Sequence, residues 1–121
     1  MQLTQSLVAI VVLLHIGFLV LEMFMWTSPI GRKVFGMSKE KAEITKALAA
    51  NQGLYNGFLV AGLIWGLLLG AGGVAVLIFF LSCIIVAGIY GAATVSRTIL
   101  WVQAAPAIAA MAVLGIVAPF S

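Results

Sequence analysis

The chain has 121 residues, of which 64% are hydrophobic and only 7% are charged, and its formal net charge is +3. A water-soluble domain is usually about one quarter charged, so this composition excludes a soluble globular domain and predicts an integral membrane protein. The basic residues form no broad surface for a nucleic acid, and the single cysteine, Cys83, excludes an internal disulfide. The length allows one domain with about four spanning helices.

The first predicted span covers residues 5–26. Its apolar stretch 7–26 is long enough, at about 1.5 Å per residue, to cross a hydrocarbon core of about 30 Å. Residues 1–6 contain no Lys or Arg and no small-residue cleavage site follows, so we expect this span to remain in the mature protein. His15 and Glu22 lie seven residues apart on one helix face. Because an acid facing lipid at the helix centre costs about 2.5–3.5 kcal/mol, this face is expected to point toward other helices or a wet cavity.

Residues 27–46 form a predicted basic loop with an amphipathic helical extension. Pro29 and Gly31 are expected to break the first helix. Ser38 is a predicted N-cap of a second helix that continues to about Gly70. Five of the six basic residues lie in this loop, namely Arg32, Lys33, Lys39, Lys41 and Lys46. We expect them to bind anionic lipid head groups, at about 1 kcal/mol each near the membrane surface.

Three further spans are predicted at residues 47–70, 74–95 and 99–118. The turn Gly70–Gly73 between the second and third spans is short and uncharged, and Pro106 predicts a kink in the fourth. All six Lys and Arg lie in the first and third loops, so the positive-inside rule predicts cytoplasmic loops and both termini on the outer side. The predicted fold is an all-α, integral membrane four-helix bundle, multi-pass in the inner (plasma) membrane.

Small residues predict close packing around the second helix. Two sets recur every four positions on different sides of it, namely Gly62, Gly66 and Gly70, and Gly53, Gly57 and Ala61. Such spacing lets helix backbones approach closely in lipid, where packing drives association. We therefore expect the second helix to be central and to be contacted on two sides.

Polar side chains concentrate in the cytoplasmic half of the predicted spans. Buried polar groups in lipid need hydrogen-bond partners, so a cluster at one depth predicts mutual bonding or water. We expect a polar pocket open to the cytoplasm, with an ion pair between Glu22 and Arg97. Its predicted members are His15, Glu22, Asn51, Gln52, Tyr55, Asn56, Tyr90, Thr94, Arg97 and Gln103. Since no metal-ligand pair at helical spacing and no cofactor motif occurs, we expect neither a metal nor a cofactor.

These polar residues also have purely structural interpretations. Glu22 lies about one turn from the interface, where it would reach head groups or loop lysines, and Arg97 would bind a lipid phosphate. A neutral His15 would hydrogen-bond to a neighbouring helix. Buried amides would join helices, at about 0.6 kcal/mol each on average.

Four stretches of this sequence, 22–26, 28–36, 49–57 and 87–92, together resemble a family of small bacterial membrane proteins. It is the domain-of-unknown-function family 1304, and the resemblance covers nearly the whole chain. The resemblance implies a four-helix integral membrane protein and implies no activity. The family's motif positions include Glu22, Trp26, Pro29, Gly31, Asn51, Gln52, Gly53, Tyr55 and Asn56.

Three functions remain open at this point. In the first, which we favour, the bundle binds or transports a small or lipophilic molecule. An acid in the first of four helices looks like the small multidrug exporters, in which a desolvated carboxylate exchanges a proton for a cationic substrate. Because four helices make a thin pathway, this function predicts a homodimer.

The second function is a membrane-embedded enzyme that acts on a lipid-soluble substrate. His15, Glu22, Tyr90 and Arg97 would then supply an acid, a base and an anion stabiliser. The third is a structural or interaction subunit with the basic loop as its docking surface.

Overall fold

Every regular element is helical in a computed structural model, which describes residues 2–94 and 100–117. Within these residues the chain forms α1 (Gln2–Phe24), α2 (Pro29–Phe35), α3 (Lys39–Leu68), α4 (Val74–Thr94) and α5 (Ala105–Val117). A 3₁₀ turn, Gly70–Gly73, joins α3 to α4, and a π-helical turn, Leu100–Ala104, directly precedes α5. The all-α fold class is confirmed, and the predicted uncharged turn at Gly70–Gly73 is present.

Within the described residues, two helical segments are long and apolar enough to cross a membrane. They are Leu3–Phe24 and Gly70–Thr94. At about 1.5 Å per residue, the 22 residues of the first segment extend about 33 Å. Trp101–Ile116 is also apolar but shorter. The spans at 47–70 and 99–118 stay predictions.

The junction between α1 and α2 is organised by Ser28. Its Oγ accepts a hydrogen bond from the backbone N–H of Gly31 at 3.1 Å and donates one to the carbonyl oxygen of Met25 at 2.7 Å. Pro29 follows as the first residue of α2, where its missing N–H is not needed and its fixed φ suits a helix. Since α1 already ends at Phe24, Pro29 and Gly31 begin a new helix instead of forming the predicted break.

The end of α2 and the start of α3 are both defined by local backbone chemistry. Gly36 adopts the left-handed conformation at φ 63°, and the N–H of Met37 donates to the carbonyl oxygen of Arg32 at 2.9 Å, which closes the helix end. Ser38 then accepts the N–H of Lys41 on its Oγ at 3.1 Å. The predicted N-cap is confirmed, and α3 continues without interruption for 30 residues.

The chain divides into two compact units, His15–Phe58 and the pair of segments Met1–Leu14 and Leu59–Ser121. In the second unit, α4 packs against the π-helical turn and α5. The apolar core of this unit is Val8, Val11, Val12, Val60, Leu63, Leu77, Leu81, Ile84, Ala107, Ala110 and Leu114.

Within that unit, two of the predicted glycines allow α3 and α4 to approach closely. A Cβ at Gly66 would lie 2.8 Å from Cγ of Leu77, and a Cβ at Gly62 would overlap the ring of Phe80. No atom lies within 4 Å of a Cβ at Gly70, which instead serves the turn through its φ of 61°. The small-residue packing is therefore confirmed for the first two glycines and is wrong for the third.

A helical irregularity lies where the sequence predicts one. Pro106 is the second residue of α5, and the π-helical turn ends just before that helix. Proline has no N–H to donate to the carbonyl oxygen four residues earlier. The wider hydrogen bonding of a π-helical turn accommodates the loss of this bond.

Candidate functional site

The candidate site lies in the His15–Phe58 unit, where the buried face of α1 carries two ionisable residues. His15 is fully buried and Glu22 is only 9% exposed. The ring of His15 packs edge-on against Phe18, with the ring centroids 5.6 Å apart. His15 and Glu22 lie seven positions apart, and the burial of both confirms that they share an inward face.

The partner of the Glu22 carboxyl group is Asn56 of α3. The Nδ2 amide of Asn56 donates a hydrogen bond to Oε1 of Glu22 at 2.5 Å. Asn56 is only 3% exposed, and its Oδ1 has no hydrogen-bond partner among the described residues. Both an ionised and a protonated carboxyl group can accept this bond on Oε1, so the contact does not depend on the protonation of Glu22.

Two glycines on α3 make this contact possible. A Cβ at Gly53 would lie 2.5 Å from Cγ of Met23 and 3.2 Å from Cβ of Glu22. A Cβ at Gly57 would lie 3.1 Å from Cδ1 of Leu19. The missing side chains let α1 and α3 approach closely, and the predicted packing side of Gly53 and Gly57 is confirmed.

In the described part of the chain, no positively charged side chain forms an ion pair with Glu22. The ion pair found there joins Nζ of Lys46 to Oε2 of Glu43 at 3.1 Å, and both side chains are exposed. Arg97, the predicted partner of Glu22, lies outside residues 2–94 and 100–117. A neutral amide is therefore the hydrogen-bond partner that the described residues give to this carboxyl group.

Three other predicted site residues on α3 are exposed. Asn51, Gln52 and Tyr55 have side chains on the helix surface, and Tyr55 is 57% exposed. Across the described residues, none of the three hydrogen-bonds to Glu22. The structure therefore brings Asn56 to the carboxyl group and leaves these three polar neighbours outward.

The remaining predicted site residues belong to the other unit. Tyr90 and Thr94 are exposed on α4, where the Thr94 hydroxyl donates to the carbonyl oxygen of Tyr90 at 2.7 Å. This bond stays within one helix. Gln103 is buried in the π-helical turn, with 8% of its surface exposed.

The sequence did not predict how α1, α2 and α3 are held together beside Glu22. The indole Nε1 of Trp26 donates a hydrogen bond to Oγ1 of Thr45 at 3.0 Å. The ring centroids of Trp26 and Phe35 are 4.7 Å apart. Trp26 reads from sequence as an interfacial belt residue. No sequence signal distinguishes the two roles, because a tryptophan at the end of a span is equally typical of the membrane interface.

Gly31 allows α2 to pack against the end of α1. Gly31 is buried, and a Cβ there would overlap the carbonyl oxygen of Met25 and lie 2.9 Å from that of Trp26. Because both neighbours are backbone atoms, no side chain can rotate to make room. This motif glycine, predicted as a helix breaker, is thus a contact point between two helices.

Comparison with known proteins identifies relatives of this chain. The family described as "protein of unknown function (DUF1304)" matches residues 9–115. The uncharacterized protein YpaA of Lactococcus lactis subsp. lactis (strain IL1403) is 33% identical over 93 residues, which are 75% of this chain and 78% of that protein. No solved structure matches. The resemblance found in the motifs is confirmed.

Proposed function

Because the chain belongs to the DUF1304 family, whose description assigns no activity, we propose a function from the geometry of the chain itself. In this proposal, the chain is a multi-pass membrane protein that binds a small lipophilic cation at Glu22 and releases a proton in exchange. The observation that carries this proposal is a buried carboxyl group with a neutral amide as its hydrogen-bond partner.

The membrane part of the proposal is supported by two apolar segments of spanning length and by a charged fraction of only 7%. The proposal includes four spans in the inner membrane, cytoplasmic basic loops and both termini on the outer side, as the distribution of Lys and Arg favours. It also includes a homodimer if the ligand is to cross the membrane, since four helices enclose a thin pathway.

The proton exchange follows from the energetics of burial. A buried carboxylate without an opposite charge loses several kcal/mol of solvation, and an amide hydrogen bond compensates only in part. We propose that the empty site therefore keeps Glu22 protonated. When a cation binds, the O–H bond of the carboxyl group breaks, the proton goes to water, and the carboxylate pairs with the cation.

Asn56 defines the class of cation. Its Nδ2 already donates to Glu22, whereas its buried Oδ1 lacks a partner within the described residues. An unsatisfied buried acceptor costs about 1–3 kcal/mol. A ligand with an N–H group would satisfy this oxygen while its positive charge pairs with Glu22. The proposed ligands are thus primary or secondary ammonium ions with an apolar body.

Room for such a ligand would come from Met23 and Gly53. The Met23 side chain lies over the bare backbone of Gly53. Methionine is unbranched and has several rotatable bonds, so it moves aside at little energetic cost. Its rotation would open space beside the carboxyl group without disturbing the backbone of either helix.

The enzyme alternative is less well supported. It requires Tyr90 to act together with the buried acid, yet this side chain is 70% exposed on α4. A general acid or base must lie within hydrogen-bond reach of the group that it serves, which a side chain on the outer surface of a helix does not share with a buried acid.

Proton release on ligand binding tests the proposal. Purified protein in weakly buffered detergent is titrated with 2-phenylethylammonium while a pH indicator records the protons released and calorimetry records binding. We expect about one proton per bound ligand, as the exchange of one charge for another requires. Glu22→Gln should release none. Glu43→Gln, which removes an exposed acid from the Lys46 ion pair, should behave as the native chain does.

The methylated analogue, N,N,N-trimethyl-2-phenylethylammonium, tests the role of Asn56. It has the same charge and nearly the same apolar body but no N–H donor. We expect it to bind at least about tenfold more weakly, since it leaves Oδ1 without a partner. Unchanged proton release in Glu22→Gln would refute the exchange, and equal affinity of the two ligands would refute the donor requirement alone.

A further inference from the structure

The outer face of α2 combines apolar and basic side chains. Ile30 is 58% exposed and Val34 is 54% exposed, and exposed Lys33 lies beside them on the same face. The opposite face carries buried Gly31 and half-buried Phe35, which packs on the Trp26 ring. This short helix is therefore amphipathic, but two of its apolar side chains point away from the protein.

The first turns of α3 repeat this arrangement. Lys41, Ile44 and Leu48 follow each other at spacings of three and four residues, so they share one face. Ile44 and Leu48 are each 73% exposed. The ion pair of Lys46 with Glu43 lies on another side of the helix. Lysine next to exposed apolar residues thus occurs on both helices of this segment.

Caps at both ends of α2 and contacts with neighbouring residues fix the orientation of this helix. Ser28 caps its first turn, and Gly36 closes its end in the left-handed conformation. Trp26 contacts Phe35 of this helix and donates a hydrogen bond to Thr45 of α3. A seven-residue helix is too short to be stable alone, so these contacts determine which face is presented outward.

We propose that the outer face of α2 and the Lys41 face of α3 bind the surface of an anionic phospholipid bilayer. Ile30 and Val34 lie at the boundary of the acyl chains, and Lys33 and Lys41 contact lipid phosphates. Helices in the membrane interface have this pattern of apolar residues flanked by lysines. The inference rests on the membrane insertion in the proposed function but not on a ligand at Glu22.

Charge complementarity selects this partner. Residues 27–46 contain five basic residues and two acidic residues, and the rest of the chain contains one of each. Juxtamembrane basic residues of this kind are attracted to anionic lipids. A neutral apolar partner protein would leave Lys33 and Lys41 without acceptors, whereas a phospholipid supplies both acyl chains and phosphates.

Spin labels in the full-length chain test the inference. Cys83→Ser provides the background, and single labels are attached at Ile30→Cys and, as a reference in the middle of α1, at the exposed residue Leu13→Cys. The chain is reconstituted into phosphatidylglycerol or phosphatidylcholine vesicles. Accessibility to oxygen and to a water-soluble nickel complex then reports whether each label lies in lipid or in water.

The expected result is a label at position 30 in lipid in phosphatidylglycerol vesicles. Lysines at a membrane surface contribute about 1 kcal/mol each, so replacing Lys33 and Lys41 together by Gln should lower the ratio of inserted to aqueous label about tenfold or more. Lys46→Gln should lower that ratio far less, because Lys46 lies on another side of α3 and its charge is already paired with Glu43.

Three other results would refute part or all of this inference. If the label at position 13 lies in lipid and the label at position 30 lies in water, the inference is wrong and membrane insertion stands. Equal insertion of position 30 in both kinds of vesicle refutes the preference for anionic lipid. A label at position 13 that lies in water refutes membrane insertion and the inference with it.

Discussion

The backbone of Gly53 lies against the side chain of Glu22, so closely that a Cβ at position 53 would be 3.2 Å from Cβ of Glu22. Asn56 follows Gly53 by three residues on α3 and reaches the carboxyl group from the same side. The glycine thus sets the helix separation at which the amide can donate to the acid. The close packing of α1 and α3 and the hydrogen bond between Glu22 and Asn56 therefore depend on each other.

Gly53→Ala should destabilise the protein relative to Gly17→Ala. Both changes gain about 1 kcal/mol of helix propensity. Even after Met23 rotates away, the added methyl group lies 3.2 Å from Cβ of Glu22 and 3.3 Å from the carbonyl oxygen of Leu19, whereas nothing lies within 4 Å of a Cβ at position 17. Overpacking costs about 1–3 kcal/mol, and we expect this difference between the two free energies of unfolding. Denaturation in mixed detergent measures it, and equal shifts would contradict the proposed close packing.

The Glu22–Asn56 hydrogen bond should appear as a coupling energy. The cycle consists of Glu22→Leu, Asn56→Leu and the double variant, each measured by its free energy of unfolding. Polar contacts between membrane helices couple by about 0.6 kcal/mol on average and at most about 1.7 kcal/mol. We expect a value in this range, because each single change leaves one buried polar group without its partner. Strictly additive losses would mean that the two side chains do not interact.

Thr45→Val should loosen the contact of α3 with the end of α1. The change removes the acceptor for Nε1 of Trp26, and a hydrogen bond of this kind contributes about 0.5–1.5 kcal/mol. Thr94→Val is the matched control, because its hydroxyl is exposed and bonds within its own helix. Thermal unfolding should detect a lower midpoint for Thr45→Val alone. The same small shift in both variants would argue against a role for the Trp26 contact.

Gly31→Ala should detach α2 from the end of α1. The new methyl group would overlap the backbone carbonyl of Met25, so the helix itself must move, at a cost of about 1–3 kcal/mol or more. Amide hydrogen exchange over Pro29–Phe35 should become faster. Gly72→Ala, where no atom lies within 4 Å of a Cβ, should leave this exchange unchanged. Native-like protection in Gly31→Ala would rule out the packing described for α2.

Much of the helical organisation follows from local sequence signals. Ser38 marks the start of α3 because its hydroxyl caps a free N–H, and such a signal depends only on neighbouring residues. The inward face shared by His15 and Glu22 follows from helical spacing and from the cost of polar groups in lipid. In contrast, α2 is seven residues long and begins with Pro29, so its pattern is too short to separate a helix from a turn.

The partner of Glu22 could not be chosen from the sequence. The sequence predicts both Arg97 and Asn56 near the carboxyl group, and charge alone favours the arginine. The contact with Asn56 depends on how closely α1 and α3 approach, which is determined by Gly53 and by the packing around it. Likewise, the exposure of Asn51, Gln52 and Tyr55 depends on the rotation of α3 about its axis, for which four polar residues in six positions give no unique answer.

Infrared difference spectroscopy tests the exchange at Glu22 most directly, since it detects the carboxyl group itself. Spectra of the purified protein are compared before and after addition of 2-phenylethylammonium. We predict that the band of a protonated carboxyl group disappears and that carboxylate bands grow, both in the native chain and in Glu43→Gln, with neither change in Glu22→Gln. Carboxyl bands that stay constant while the ligand binds, or the same difference spectrum in Glu22→Gln, would contradict the proposed exchange.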